Sequence, residues 1–394
     1  MKLLQLSIAL IILYTVYYTQ AVAPIKWYLI AVYLFSDIVL FSYMLNKHRG
    51  ILKDTSYECK AFLAFYVVIF LPGLFTSPSV DLYLDSIKNG IQYAILFVAV
   101  YYVVRDKKSM DFPFKILGLA VYAFAITAYI NGSLIQGRLA ISESGNANAT
   151  AIMMYVGFVL AAYFWNKGIF YKILTIVYIP IALSNIALSG SRKGFIGTAL
   201  FITLFIISSY LPSIKKKNAL RTIVSFVLFL AVMIVIYNLF APIFIDSVLF
   251  SRLNMMGDES NAVRLMMYQD AFRLFKEYPI FGIGYDNYQY MGIFNAYTHS
   301  TYAEVLVSSG IIGTLIYFSI YISIIRKVIK LYLAKIKQKI TIYNEGILLS
   351  FMLINLFFAT VTINMYDPLC YVLLACIAGY CEITNDMLIN QCQI

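Results

Sequence analysis

Long apolar stretches, separated by short polar segments, recur along the whole chain. A helix needs roughly 20 largely apolar residues to cross a bilayer, and Tyr and Trp crowd many ends of these stretches, as they do at membrane interfaces. The pattern predicts an all-α polytopic membrane protein that forms a single integral membrane domain over residues 1–394. The twelve predicted transmembrane helices lie near residues 3–22, 27–45, 60–76, 89–104, 113–130, 149–165, 171–187, 195–211, 221–240, 301–325, 345–363 and 366–382.

One polar segment is much longer than the rest. Residues 241–300 form a loop between the ninth and tenth predicted spans. A loop of this length inside a compact protein is usually either functional or disordered, and its many Tyr, Phe, Met and Ile residues disfavour disorder. We therefore predict an external loop subdomain that contains short helices.

One of these helices is predicted at "ESNAVRLMMYQDAFRLFKEY", where a broad apolar side would suit the membrane surface. Ser260 or Asn261 would cap its start, and Pro279 would end it. Gly282 and Gly284 then permit a tight turn. The alternative is a helix that merely covers the bundle.

The composition supports the membrane class and narrows the functions. Hydrophobic residues make up 62% of the chain and charged residues 12%, against about 25% charged residues in soluble globular proteins. The mean hydropathy is +0.80. The net charge of +11 does not indicate nucleic-acid binding, because the cations fall in short clusters between apolar stretches instead of along one basic face.

The positions of the cations also predict the orientation. Lys and Arg prefer cytoplasmic loops, and most of the 30 fall on one side if the N-terminus is cytoplasmic. Both termini are then cytoplasmic, and the loop 241–300 is external. The nine cations on the external side are Lys26, Lys88, Arg138, Arg192, Lys193, Arg252, Arg264, Arg273 and Lys276.

Two external cations lie together in "SGSRKG", Ser189–Gly194, at the start of a predicted span. The free N–H groups of a helix start favour an anion, and a planar guanidinium can donate two hydrogen bonds to a phosphate. Arg192 and Lys193 therefore predict a strongly anionic ligand, such as a diphosphate. The alternative is that both side chains only extend towards lipid headgroups.

Arg264 in the loop helix and His299 before the tenth span are two further candidates. Histidine can exchange a proton near neutral pH. A structural role stays open for each residue. An exposed helix arginine is usually solvated or ion-paired, and an interfacial histidine often satisfies a loop carbonyl.

A polar set lies in "GRLAISESGNANATA", an external loop before the sixth span. Arg138, Glu143, Asn146 and Asn148 could bind carbohydrate hydroxyls, or they could form a capped loop. Either interpretation fits the residue types.

Acidic residues are rare within the predicted spans. Asp37 lies mid-span and is a functional candidate by default, whereas Glu304 and Asp367 lie close to the external face. The chain has no phosphate-binding loop motif, no dinucleotide fingerprint and no paired histidines for zinc. We therefore expect no cofactor and no metal. The substrate would then have to arrive already activated.

The order of these features along the chain resembles that of the O-antigen ligase and O-antigen polymerase superfamily of bacteria. That family has S-x-S-R-x-G at the start of a span, an Arg in a long external loop, a P-x-x-G-x-G segment, and then a His followed by G-x-x-G in the next span. The corresponding positions are Ser189–Gly194, Arg264, Pro279–Gly284, His299 and Gly310–Gly313. The resemblance covers residues 130–320, and one departure is Tyr268, where the family often has Trp.

The resemblance implies a metal-independent glycosyltransferase of the bacterial inner membrane, with its active site on the external face. The donor would be a glycan on undecaprenyl diphosphate. Arg192 and Arg264 would hold the diphosphate, and His299 would take the proton from the acceptor hydroxyl. The remaining substrate-binding residues would be Lys193, Arg138, Asn148 and Glu304.

The acceptor would decide the product. A polymerase extends another lipid-linked repeat into an O-antigen or capsule, whereas a ligase loads the finished glycan onto lipid A core or another final acceptor. We favour the polymerase. A non-enzymatic transporter of lipid-linked oligosaccharides is a further alternative, for which charges along the membrane midplane would be expected. Expected partners are membrane lipids, a chain-length regulator and a flippase, and no nucleic acid.

Overall fold

The computed structural model of the chain describes residues 2–18, 55–107, 109–135, 137–140, 146–210 and 259–391, with a few single positions between them. These residues form twelve α-helices, one antiparallel hairpin and one 3-10 turn. The helices are α1 (Lys2–Tyr18), α2 (Tyr57–Thr76), α3 (Val80–Lys107), α4 (Asp111–Asn131), α5 (Ala147–Phe164), α6 (Ile169–Ser189), α7 (Arg192–Tyr210), α8 (Glu259–Glu277), α9 (Tyr288–Met291), α10 (Thr301–Lys337), α11 (Tyr343–Phe358) and α12 (Pro368–Gln391). The strands are β1 (Ser133–Ile135) and β2 (Arg138–Ala140), and the 3-10 turn is Asn364–Tyr366.

Seven of the described helices are long and apolar enough to cross a membrane: α2 to α7 and α10. Helix α11 and the first part of α12 are shorter apolar helices. The prediction of an all-α polytopic membrane protein is confirmed, and ten of the twelve predicted spans coincide with a described helix. The other two, near 27–45 and 221–240, lie almost entirely outside the described residues, as do residues 241–258 of the long loop.

The structure corrects the predicted end of the eleventh span. The apolar pattern predicts a helix over 345–363, whereas α11 ends at Phe358. Thr362 Oγ1 donates a hydrogen bond to Phe358 O (2.8 Å), and such local side-chain bonds compete with regular helix. The residues between α11 and α12, Ala359–Asp367, are called the α11–α12 turn below.

Helix α10 is broken at Gly310, where φ is 61° and ψ is −164°. The segment Pro279–Gly284, called the wedged segment below, packs into this break. Ile311 N–H donates a hydrogen bond to Pro279 O (2.9 Å). A Cβ atom on residue 310 would lie 2.3 Å from Ile280 O, closer than real Cβ atoms come to other atoms. The two glycine motifs therefore interlock, and they fix the segment Pro279–Gly284 onto α10.

Helix α8 starts earlier than predicted. Ser260 and Asn261 lie inside it, so the prediction that either residue caps its start is wrong. The helix ends before Pro279, as predicted, since proline disfavours helix in the residue that precedes it. The tight turn is also confirmed, because Gly282 and Gly284 have φ of 72° and 93°.

A small apolar cluster joins this loop to α10. It contains Ala271 and Leu274 of α8, Ile283 of the wedged segment, Tyr288 of α9 and Val307 of α10. Most of the other buried apolar side chains among the described residues form one large core within the helix bundle. Residues 271–288 are thus packed against α10, which gives the polar side chains of this segment defined positions.

Candidate active site

The "SGSRKG" motif forms the joint between α6 and α7. Gly190 ends α6 with a left-handed backbone (φ 61°). Ser189 Oγ accepts from Ser191 N–H (3.2 Å), and Ser191 Oγ accepts from Gly194 N–H (3.4 Å) at the start of α7. A Cβ on Gly194 would lie 2.4 Å from the Cβ of Ala151. The serines and glycines therefore shape the joint between α6 and α7.

The two cations of the motif, Arg192 and Lys193, occupy the first two positions of α7, and both are half-buried. Lys193 Nζ donates a hydrogen bond to Val361 O in the α11–α12 turn. The positive charges of Arg264 and Arg138 lie close enough to act on Lys193. The structure thus brings cations from α7, from α8 and from the hairpin to one place.

Arg138 lies on β2, beside the end of α6. Its Nε donates to Ser189 O (2.8 Å), and its guanidinium also donates to Asn148 Oδ1 (2.9 Å). Asn146 caps α5 by accepting a hydrogen bond from Asn148 N–H (2.9 Å). The predicted substrate-binding residues Arg138 and Asn148 are therefore together, and both take part in fixing the hairpin. Glu143 lies outside the described residues.

Arg264 enters the site from α8 and is half-buried. One turn later, the Tyr268 hydroxyl donates to Thr360 O of the α11–α12 turn (3.4 Å). Among the described residues, no carboxylate forms an ion pair with Arg264 or Lys193. We call these two residues the cation pair. Their like charges repel each other, so that an anion bound between them would be favoured.

His299 is exposed, and its ring lies close to the cation pair. The pKa of His299 lies below its ordinary value of 6.5, because the surrounding protein disfavours the charged ring and because Arg264 and Lys193 add positive charge. The neutral ring can therefore accept a proton at neutral pH. The φ of His299 is 59°, a left-handed conformation that costs a non-glycine residue on the order of 1–3 kcal/mol and that is often found at functional sites.

Glu304 requires a correction. The expectation was a substrate contact, but the side chain is completely buried. Its carboxylate accepts hydrogen bonds from Thr298 N–H (3.0 Å) and from the Tyr366 hydroxyl (3.1 Å). A sugar has no access to Glu304 in this structure. The residue instead contacts the chain segment that presents His299.

Apart from Asp367, the sequence did not single out the α11–α12 turn, yet this turn borders the candidate site. Its carbonyl oxygens accept hydrogen bonds from the Lys193 ammonium, the Tyr268 hydroxyl and Thr301 N–H. A weak signal was present in Thr360 and Thr362, which interrupt the apolar pattern. Val361 and Ile363, which alternate with these threonines, continue the apolar pattern and so extended the predicted helix.

Tyr366, which donates to Glu304, also contacts Asp286. Asp286 has a φ of 64°. Its N–H donates to the Tyr366 hydroxyl oxygen (3.2 Å). Burial raises the pKa of Asp286 to about 6, although hydrogen bonds with Tyr297 and Gln289 oppose this rise. Asp286 is therefore a second titratable group near the loop that carries His299.

The other candidates contribute less. Asp37 lies outside the described residues. Asp367 Oδ1 accepts from Leu369 N–H (3.0 Å) and so caps the start of α12. Within the described part of the chain, no group of three or more His, Cys, Asp and Glu side chains could hold a metal ion.

Comparison with known proteins covers the same part of the chain. No curated protein matches the sequence. Residues 177–318 match the family model described as O-antigen ligase. The matched stretch runs from α6 into α10, and it contains the joint motif, Arg264, the wedged segment and His299. This match supports the similarity of the chain to the O-antigen ligase and O-antigen polymerase superfamily, whose members transfer glycans.

Proposed function

We propose that this protein is a glycosyltransferase that joins undecaprenyl-diphosphate-linked oligosaccharide repeats into a surface polysaccharide. One observation carries the proposal. The cation pair, Lys193 and Arg264, has no carboxylate partner among the described residues and lies beside His299, a histidine whose pKa is lowered. A diphosphate fits the two cations, and a reacting hydroxyl fits the neutral histidine.

The donor half of the site would stabilise the leaving group. Arg264 and Lys193 would bind the diphosphate, together with Arg192 at the start of α7. As the bond between the anomeric carbon and the diphosphate oxygen breaks, the electron pair moves to the diphosphate. Fixed cations aimed at this growing negative charge lower the barrier, because they need no reorganisation during the reaction.

The acceptor half would supply the nucleophile. The acceptor hydroxyl oxygen bonds to the anomeric carbon, and its proton moves to the neutral ring of His299 as general base. Undecaprenyl diphosphate leaves, and His299 later returns the proton to water. Arg138 and Asn148, at the edge of the site, would contact the sugar once their mutual hydrogen bond opens. The donor arrives activated, so that the scheme consumes no nucleotide.

The proposal includes a location. The cation pair and His299 would face the outside of the bacterial inner membrane, and both termini would be cytoplasmic. This orientation follows from the distribution of Lys and Arg. A reporter fused after Lys217 should then give a cytoplasmic signal, and one inserted at Gly257 an external signal. The opposite result at Gly257 would place the site on the wrong side of the membrane.

The purified protein, incubated with a single repeat on undecaprenyl diphosphate, provides the direct test. Formation of longer lipid-linked chains is the result expected of a polymerase. Transfer that occurs only after addition of lipid A core, or of another final acceptor, would indicate a ligase. The ligase is the second candidate because the matching family model is described as O-antigen ligase. Movement of the donor across a vesicle membrane without any new glycosidic bond would overturn the enzymatic proposal.

The same distinction can be made in a deletion strain. Loss of all chains beyond one repeat would indicate a polymerase, and intact chains left on the carrier lipid would indicate a ligase. A chain-length regulator and a flippase are proposed partners of the polymerase, since the repeats must reach the external face and their number must be controlled.

A further inference from the structure

The geometry points to Glu304 as a positioning residue that holds the His299 loop, Thr298–Ser300, in its left-handed conformation. Glu304 would thereby fix the direction of the His299 ring. This inference rests on the proposed function, because the direction of the ring matters only if the ring accepts a proton.

Both carboxylate oxygens of Glu304 are engaged. Oε2 accepts from Thr298 N–H (3.0 Å) and lies 2.8 Å from Thr298 Oγ1. Oε1 accepts from the Tyr366 hydroxyl (3.1 Å). Because the side chain is completely buried, water is not available to replace these hydrogen bonds, and losing one would leave an unsatisfied buried group. The carboxylate therefore fixes the residue that directly precedes His299.

The residues after His299 are fixed as well. Ser300 N–H donates to Thr298 Oγ1 (3.3 Å). Thr301 N–H lies 2.8 Å from two carbonyl oxygens of the α11–α12 turn, those of Ala359 and Thr362. Thr298, Ser300 and Thr301 are all buried, whereas His299 is exposed. The backbone is thus held on both sides, and the histidine side chain projects from it into the site.

Tyr366 extends this arrangement to the rest of the external loop. Its hydroxyl donates to Glu304 and accepts from Asp286 N–H (3.2 Å). Its ring also packs edge-on against Tyr285, with 5.0 Å between the ring centroids. Glu304, Tyr366 and Thr298 therefore connect α10, the α11–α12 turn and the segment after Gly284 at the point where His299 emerges.

The test uses Glu304→Gln, which keeps the size of the side chain. An amide has one acceptor oxygen, so that either Thr298 or Tyr366 loses its acceptor. We expect kcat to fall roughly 10–100-fold, as for a reacting group that is slightly misplaced. The KM for the lipid-linked donor should stay unchanged, because other residues hold the diphosphate. Tyr366→Phe should give a smaller loss in the same direction.

A matched control is Glu345→Gln, which alters another buried glutamate, far from the site and paired with Lys335. This variant should leave kcat of the folded protein unchanged. The double variant Glu304→Gln/His299→Ala decides between positioning and general destabilisation. If Glu304 acts through His299, the substitution should cost little once the histidine is absent. An equal loss in both backgrounds, or an unchanged kcat in Glu304→Gln, would overturn the inference.

A second readout does not depend on glycosyl transfer. The chain has two histidines, His48 and His299, and the rate at which an acylating reagent modifies each can be followed by mass spectrometry. In Glu304→Gln the rate at His299 should change severalfold while the rate at His48 stays constant. An unchanged rate at His299 would overturn the positioning role. A changed rate in a protein without transferase activity would instead count against the proposed function alone.

Discussion

The two ends of α10 carry charge in opposite ways. Near its C-terminal end, cations are paired with buried carboxylates. Lys335 Nζ lies 2.6 Å from Glu345 Oε1, and Lys327 Nζ lies 2.9 Å from Glu58 Oε2. Both glutamates are almost completely inaccessible to solvent. These contacts join α10 to α11 and to α2, and a structural role accounts for all four charges.

At the N-terminal end, the charges are arranged differently. Lys193 and Arg264 lie close to each other and to His299. In the part of the chain that the structure describes, neither cation forms an ion pair with a carboxylate. The nearby Glu304 is bonded to Thr298 and Tyr366 instead. This contrast supports the proposal that Lys193 and Arg264 bind an anionic ligand, whereas the two ion pairs at the other end of α10 stabilise the fold.

The largest expected effect tests whether the N-terminal end is catalytic. His299→Ala should lower the rate of glycan transfer about 10²–10⁴-fold, the usual contribution of a general base. Binding of the lipid-linked donor should persist, because the cations carry the diphosphate. Turnover and donor binding are measured on the purified protein. Near-normal turnover of His299→Gln would contradict the general base role and direct attention to Asp286.

The pH dependence sharpens this test. The pKa of His299 is lowered below 6.5, and a base works in its neutral form, so that kcat/KM should rise with pH through an apparent pKa below 6.5 and then level off. At lower pH the protonated ring cannot accept a proton. Arg264→Ala removes one of the charges that lower the pKa, and it should move the apparent pKa upwards. A profile that falls over this range would contradict the assignment.

Arg264→Ala should itself reduce turnover about 10²–10³-fold, as loss of a group that stabilises transition-state charge does. Its thermal stability should be unchanged or higher, because Lys193 loses a like charge nearby. Activity assays and thermal unfolding on the same preparation test both parts. A large loss of stability would show that Arg264 has a structural partner, like the cations at the other end of α10.

Lys335→Met makes the opposite change at the C-terminal end. Breaking a buried ion pair leaves Glu345 without its partner and should reduce the free energy of unfolding by about 3–5 kcal/mol. Turnover per folded molecule should remain normal. The double variant Lys335→Met/Glu345→Gln should regain part of the stability, measured by denaturant unfolding. A loss of turnover without a loss of stability would contradict a purely structural role for Lys335.

The smallest expected effect concerns Arg192. Arg192→Lys keeps the charge but loses the planar fork that donates two hydrogen bonds to a phosphate. We expect a loss of about tenfold in kcat/KM, equivalent to about 1.4 kcal/mol. Full activity at an equal protein level would mean that Arg192 only contacts lipid headgroups. Lys330→Arg, at the other end of α10, should have no effect.

Some of the site could be predicted from the sequence, because its signals are local. The joint motif, the wedged segment and the external cations can all be recognised in short stretches. Glu304 could not be assigned in this way. Its position near the external end of a span suggested access to a ligand, but whether a helix side chain faces the core depends on the elements packed around it. Here the side chain of Glu304 is completely buried and accepts hydrogen bonds from Thr298 and Tyr366.

The membrane class and the approximate position of most helices follow from local sequence patterns. The reason is that the bilayer, rather than any tertiary contact, sets the length and apolarity of a span. The same local chemistry identified Arg192, Arg264 and His299 as candidates.

How these residues meet depends on the tertiary structure. It placed Lys193 and Arg264 beside His299, paired Arg138 with Asn148, and made the α11–α12 turn part of the site. Apart from the Arg138–Asn148 pair, these relations join residues that are far apart along the chain, and no local pattern encodes them. They arise because the packing of α7, α8, α10 and α11 brings distant backbone and side chains within hydrogen-bonding distance.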